Sequence, residues 1–170
     1  MPSEKYIIKI CLLGDGAVGK TSLVRRFVFD VFDDKYIVSF GTKVSKKSMK
    51  IGDADVDLLL WDILGQRSHE SLHAAYYRGA AGAFAVSDFT RPETMHSLNP
   101  WIGNFRSTVG DKPVIILGNK SDLAKSYSLS DLQSFGSGIG CDVIETSAKT
   151  GLNVENAFLD LGKRLLESAK

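Results

Sequence analysis

Apolar runs of strand length alternate with amphipathic stretches of helical period almost from end to end of this 170-residue chain. Tyr6, Ile7, Ile8, Ile10, Cys11, Leu12 and Leu13 form the first run, too short to span a membrane and β-branched enough for a buried parallel strand. Leu23, Val24, Phe27 and Val28 then recur at helical spacing. After an irregular stretch from Phe32 to Gly41 come a lysine-rich run over Thr42 to Ile51, a Gly52-Asp53 turn and a run over Val56 to Asp62. So short a link implies an antiparallel hairpin, and the lysines suit an exposed edge, where they discourage pairing with other chains. Ala83 to Asp88, Val114 to Asn119 and Asp142 to Glu145 complete six expected strands. Helices are expected near 69–78, 93–109, 129–136 and 153–167, five with the first. This alternation predicts an α/β fold: a doubly wound, six-stranded, mostly parallel sheet with one antiparallel edge strand and helices on both faces. Residues 1–170 read as a single domain without repeat, linker or low-complexity tract.

The junction of the first strand and helix carries Gly14-Asp15-Gly16-Ala17-Val18-Gly19-Lys20-Thr21, a Gly-x-x-x-x-Gly-Lys-Thr loop. In that context it reads as a phosphate cradle rather than a plain glycine-rich turn. Glycines let successive backbone N–H groups converge on a triphosphate, and the helix adds roughly half a positive charge at its N-terminus. Lys20 is then expected on the β- and γ-phosphates, and the Thr21 hydroxyl on Mg²⁺.

The base and the reaction have to come from elsewhere. Trp61-Asp62-Ile63-Leu64-Gly65-Gln66 follows an apolar strand, which puts Asp62 at the strand's C-terminal end, near the first loop. Asp62 can hold Mg²⁺ through water, Gly65 can offer its N–H to the γ-phosphate, and Gln66 can orient a water for in-line attack. Alone, Asp-x-x-Gly reads equally well as a turn. Asn119-Lys120-Ser121-Asp122 ends the fifth strand and Ser147-Ala148-Lys149 follows the sixth. The Asp122 carboxylate can accept from guanine N1–H and the 2-amino group, neither of which adenine offers; an unpaired buried polar partner can discriminate by about 10⁴ to 10⁵. Asn119 and the Ala148 N–H are expected on the other edge of the base, with the stems of Lys120 and Lys149 over its faces. Asn-Lys-x-Asp alone could be a polar loop, a reading that weakens beside Ser-Ala-Lys at the next strand end.

Composition narrows the class. A net charge of +1 offers no bulk electrostatic draw toward nucleic acid or anionic lipid. Cys11 and Cys141 read as small core residues of a protein in a reducing compartment, although their pairing is not excluded. No stretch approaches the roughly 20 apolar residues of a transmembrane helix, and no signal peptide is evident, so a soluble, cytoplasmic protein is expected. Pro2 excludes myristoylation, and Leu165 to Lys170 contains no cysteine for a prenyl group, so no lipid anchor is expected in this chain.

The segments Gly14 to Thr21, Asp62 to Gln66, Asn119 to Asp122 and Ser147 to Lys149, in this order, resemble the Ras superfamily of small GTPases, a P-loop NTPase fold with a small G domain. Trp61-Asp62, Tyr76-Tyr77-Arg78-Gly79-Ala80 and Glu145 to Thr150 resemble Rab signatures, and Tyr36 to Gly41 matches the switch I pattern by position. The resemblance implies a GTP/GDP switch with Mg²⁺ whose loops, roughly 32–43 and 63–78, reorder around the γ-phosphate and meet effector, exchange and activating proteins. It implies a monomer that slowly hydrolyses GTP, and places Phe32 against the guanine ring. The nucleotide-binding set is then Asp15, Gly16, Ala17, Val18, Gly19, Lys20, Thr21, Ser22, Phe32, Tyr36, Ser39, Gly65, Asn119, Lys120, Asp122, Leu123, Ser147, Ala148 and Lys149. Thr21, Ser39 and Asp62 are the metal set, and Gln66 and Lys20 the catalytic pair.

The chain departs from that pattern. Ser39 stands where the family has threonine, losing the methyl that limits its rotamers. Ile63 and Leu64 replace Thr-Ala, and Arg67 replaces a glutamate, reversing a charge on a partner-reading surface. Ile37 occupies the position where heterotrimeric Gα proteins carry a stabilising arginine, so unassisted turnover is expected near 10⁻⁴ to 10⁻³ per second, order of magnitude roughly as for similar enzymes. The alternative is a catalytically weak GTP/GDP-binding scaffold. His69-Glu70-Ser71-Leu72-His73 fits the His-Glu-x-x-His zinc pattern, but with no third ligand in view it reads as a solvated helix face.

Overall fold

β1 (Lys5–Leu13) occupies the middle of a six-stranded sheet. In the computed structural model, which describes residues 4–30, 42–63 and 70–170, with the backbone alone at 42, 63 and 70–73, the strand order is β2-β3-β1-β4-β5-β6. β3 (Ala54–Ile63) and β4 (Gly82–Asp88) flank β1 in parallel, Ile10 facing Leu60 on one side and Gly82 on the other. β5 (Val114–Asn119) and β6 (Asp142–Glu145) extend the sheet in parallel. β2 (Thr42–Ile51) pairs antiparallel with β3 and forms the edge, as the short link and the lysines predict. β4 and β5 are buried along their whole length, which explains their unbroken apolar character: helices cover both faces.

α1 (Lys20–Phe29) and α6 (Val154–Ala169) close one face, where Phe158 stacks on Phe27 with ring centroids 4.3 Å apart and meets Phe84 at 4.7 Å. On the other face lie α2 (Glu70–Tyr77), α4 (Leu98–Val109) and α5 (Leu129–Gly138), joined by contacts such as Tyr77 edge-on to Phe105 at 5.3 Å. Cys11 and Cys141 are both free and buried, and burial pushes the Cys11 thiol up to about 12, so it stays protonated.

The helix expected over 93–109 is two. α3 (Glu93–His96) precedes α4, with a turn at Ser97, and the described residues therefore contain six helices rather than five. Pro100 gives the reason: it has no N–H to donate to the His96 carbonyl, so the ladder breaks there although the backbone of Ser97 remains helical at φ −65° and ψ −21°. Among the described residues no helix is long and apolar enough to cross a membrane.

Because β1, β3, β4, β5 and β6 all run the same way, the segments that leave their C-terminal ends gather on one rim of the sheet. The phosphate loop, Asp62, Asp88, Asn119 and Thr146 all lie there.

Candidate functional site

The loop after β1 is shaped by two glycines that nothing else can replace. Gly14 has φ +137°, and a Cβ there would sit 2.5 Å from the Val86 carbonyl oxygen; Gly19 has φ +103°, and its Cβ would sit 2.3 Å from the Asn119 amide nitrogen. Gly19 is also the N-cap of α1, whose first turn contains no acidic residue, so the positive end of the helix faces the loop unneutralised. Lys20 is buried, and its ammonium reaches back to donate to the carbonyls of Gly14 at 2.9 Å and Asp15 at 3.1 Å. Burial lowers its pKa to about 8, against the charges of Asp62 and Asp15, which raise it. The Thr21 hydroxyl donates to the Asp62 carboxylate, joining the loop to the end of β3. Burial raises the Asp62 pKa, opposed by that hydrogen bond and by the charges of Lys20 and Lys43.

The far side of the site is built from the ends of β5 and β6. Asn119 is buried, donates from its amide nitrogen to the Val18 carbonyl at 2.9 Å, and accepts from the Thr146 hydroxyl at 3.1 Å and the Ala148 N–H at 3.3 Å. The two groups expected on one edge of a base thus hold each other, and Asn119 ties the phosphate loop to the loop after β6. Asp122 is exposed, and its carboxylate accepts from the buried Ser147 hydroxyl at 2.7 Å, which fixes its orientation. Ser147 in turn accepts from the Thr150 N–H at 3.0 Å. Lys120, at φ +64°, spans from β5 to the phosphate loop and donates to the Ala17 carbonyl at 2.8 Å. Ser22 is half-buried on the first turn of α1, while Leu123 and Lys149 are exposed around the rim.

The model of the Ras family matches residues 9–167, the span that holds this cradle and the Asn-Lys-x-Asp and Ser-Ala-Lys segments that close it. The chain belongs to the Ras family. Ras-related protein Rab-21 from Homo sapiens is 37% identical over 168 residues, covering 97% of this chain and 75% of the relative. Rab-21 from Geodia cydonium is 38% identical over 163 residues, 94% of this chain and 71% of the relative. Rab-31 from Mus musculus is 37% identical over 161 residues, 93% and 83% respectively. This Ras-family member is therefore a Rab-like small GTPase, a molecular switch that binds GTP and GDP and works through regulatory and effector proteins.

The donor set of the Ras-family site suits its chemistry. Thr21 and Asp62 offer only oxygen, one hydroxyl and one carboxylate in contact, the ligand type a hard divalent cation takes. No cluster of three or more His, Cys, Asp and Glu side chains forms among the described residues. Phe32, Tyr36, Ile37, Ser39, Leu64, Gly65, Gln66, Arg67 and His69 lie outside the described residues, as do the side chains of Ile63, Glu70 and His73.

Four residues that shape the site escape sequence motifs. The Trp101 indole N–H donates to Asp15 Oδ1 at 3.0 Å, and Arg91 donates to the Gly16 carbonyl at 2.9 Å. Asp88 ends β4 wholly buried and binds both Arg91, at 3.1 Å, and Lys120, at 2.9 Å. Arg26, on α1, donates to the Ala148 carbonyl at 2.8 Å and to that of Lys149, pinning the loop after β6 to the helix that begins at the phosphate loop. Apart from the Asp88–Arg91 pair, three positions apart, each contact joins residues tens of positions apart, so only the sheet order reveals it; the one sequence signal is the place of Asp88 at a strand's C-terminal end.

Proposed function

We propose that residues 1–170 form one G domain that holds a guanine nucleotide across this rim and cleaves GTP slowly, in the cytoplasm and as a monomer. The observation that carries this reading is the buried Lys20 beside the Thr21–Asp62 contact, at the mouth of a glycine loop and a helix N-terminus. Backbone N–H groups from Asp15 to Ser22 bind the phosphates, and Lys20 steadies the negative charge that grows as the γ-phosphate is released. Thr21, Asp62 and Ser39 are the metal ligands; Mg²⁺, when bound, neutralises charge on the phosphate oxygens. Gly65 donates its N–H to the γ-phosphate, and Gln66 orients the attacking water. Asp122, held by Ser147, reads guanine, with Lys120 and Lys149 over its faces and Phe32 and Tyr36 closing the site; Leu123 lies on the rim beside it. Asn119 acts by joining the two halves of the site.

With no arginine at position 37, the chain's own groups leave part of the transition-state charge unmet, and an activating protein has to supply the rest. Residues near 32–43 and 63–78 are the surface for such partners, with Arg67 in place of a glutamate altering which of them fit.

Single-turnover phosphate release from GTP-loaded protein with Mg²⁺ tests the reading. The expected rate is about 10⁻⁴ to 10⁻³ per second, slower still in Gln66→Leu. A rate above about 0.1 per second without a partner overturns the slow mechanism. Equal rates near zero in both proteins, even with activating proteins, make the chain a scaffold.

A further inference from the structure

The outer half of the phosphate loop is gripped from outside by side chains of three separate elements. Trp101 on α4 holds the Asp15 carboxylate at 3.0 Å, Arg91 beyond β4 holds the Gly16 carbonyl at 2.9 Å, and Lys120 beyond β5 holds the Ala17 carbonyl at 2.8 Å. The two cations converge on one group: Asp88 Oδ2 lies 3.1 Å from Arg91 Nε and 2.9 Å from Lys120 Nζ. Asp88 cannot swing away to follow them, because its Oδ1 accepts from both the N–H and the hydroxyl of Thr90, at 2.8 and 2.7 Å. Its side chain is 1% exposed, so these charge-assisted bonds act where water competes little. Arg91 thereby makes the phosphate side and the base side of the site one mechanical unit.

The loop has a use for such a brace. Ala17 sits at φ +64°, a left-handed conformation that costs an L-residue energy, and the two carbonyls held by Arg91 and Lys120 belong to Ala17 and the residue before it.

We propose that Arg91, braced on Asp88, is a positioning residue for nucleotide retention: by fixing the Gly16 carbonyl it keeps the phosphate loop in its binding shape and sets how long a guanosine diphosphate stays bound. This rests on the guanine-nucleotide reading above and adds to it a residue outside the recognised motifs. Arg91 is 35% exposed, so its substitution leaves the two cores intact.

The test is the release rate of a fluorescent GDP from the full chain, with Mg²⁺ and excess unlabelled GDP, for wild type, Arg91→Gln and Arg91→Lys. Loss of a charge-assisted hydrogen bond in the glutamine variant is expected to speed release about tenfold. The lysine variant keeps a cation for one of the two partners but lacks the fork that holds Asp88 and Gly16 together, so it recovers only part of the retention and releases at a rate between those of wild type and Arg91→Gln. Release from Arg91→Gln within about twofold of wild type overturns the proposal, as does release from Arg91→Lys as fast as from Arg91→Gln. A wild-type chain that retains no GDP at all overturns the nucleotide reading itself, and that failure is visible before any variant is compared.

Discussion

Ala17 is the residue at which the phosphate loop is most strained. Its φ of +64° falls in the region glycine visits freely and alanine only at a cost of about 1–2 kcal/mol. Part of that cost is offset because alanine restricts the unfolded chain more than glycine does, by about 0.4–1 kcal/mol. Ala17→Gly is therefore expected to stabilise the protein by about 0.5–1 kcal/mol in urea unfolding; a loss of stability would show that the Ala17 methyl has packing that outweighs the strain. At this scale the sequence motif and the structure divide the site between them. The Gly14, Gly19 and Lys20 spacing is a local property, fixed by what one strand-to-helix turn needs, and it can be read along the chain. Arg91 on Gly16 and Trp101 on Asp15 depend on where two distant elements end in space, and nothing in their own neighbourhoods announces it.

Strands were the most legible elements, because burial on both faces demands unbroken apolar runs and the hairpin link admits only one pairing. Helix limits were less so. The break before α4 escapes periodicity because Met95 before it and Leu98, Trp101, Ile102 and Phe105 after it keep helical spacing and pack into one core, while Pro100 breaks only the backbone ladder. α5 shows the opposite case, a helix start written in the side chains. Ser128 accepts from the Asp131 N–H at 3.0 Å while the Asp131 carboxylate accepts from the Ser128 N–H at 3.0 Å, a closed capping box. Ser128→Ala removes one half of it and is expected to cost about 1 kcal/mol by urea unfolding. An unchanged midpoint would mean that water caps α5 equally well.

Across the whole molecule, the sheet order brings the ends of five parallel strands to one rim and makes Asp88, at the end of β4, the group on which the two halves of the site lean. Burial alone would raise its pKa, but hydrogen bonds from Thr90, Lys120 and Arg91 outweigh that and hold it below the ordinary carboxylate value. A depressed folded-state pKa contributes stability that is present above the unfolded value, about 3.9, and is lost as pH falls through the folded one. Asp62 acts in the opposite sense, since its raised pKa means that protonation favours the fold. Asp88→Asn is therefore expected to be less stable than wild type at neutral pH and to lose less of its remaining stability below about pH 4, as followed by thermal unfolding. Parallel stability curves for the two proteins would remove Asp88 from that role.

The central claim is that this rim selects and keeps a guanine nucleotide. Its most direct test is the nucleotide released when the protein, purified in Mg²⁺ without added nucleotide, is denatured and the extract separated by chromatography. The account predicts close to one guanine nucleotide per chain, mainly GDP, because hydrolysis is slow but release is slower. Adenine nucleotide in that extract, or a folded protein that retains no nucleotide, would contradict it.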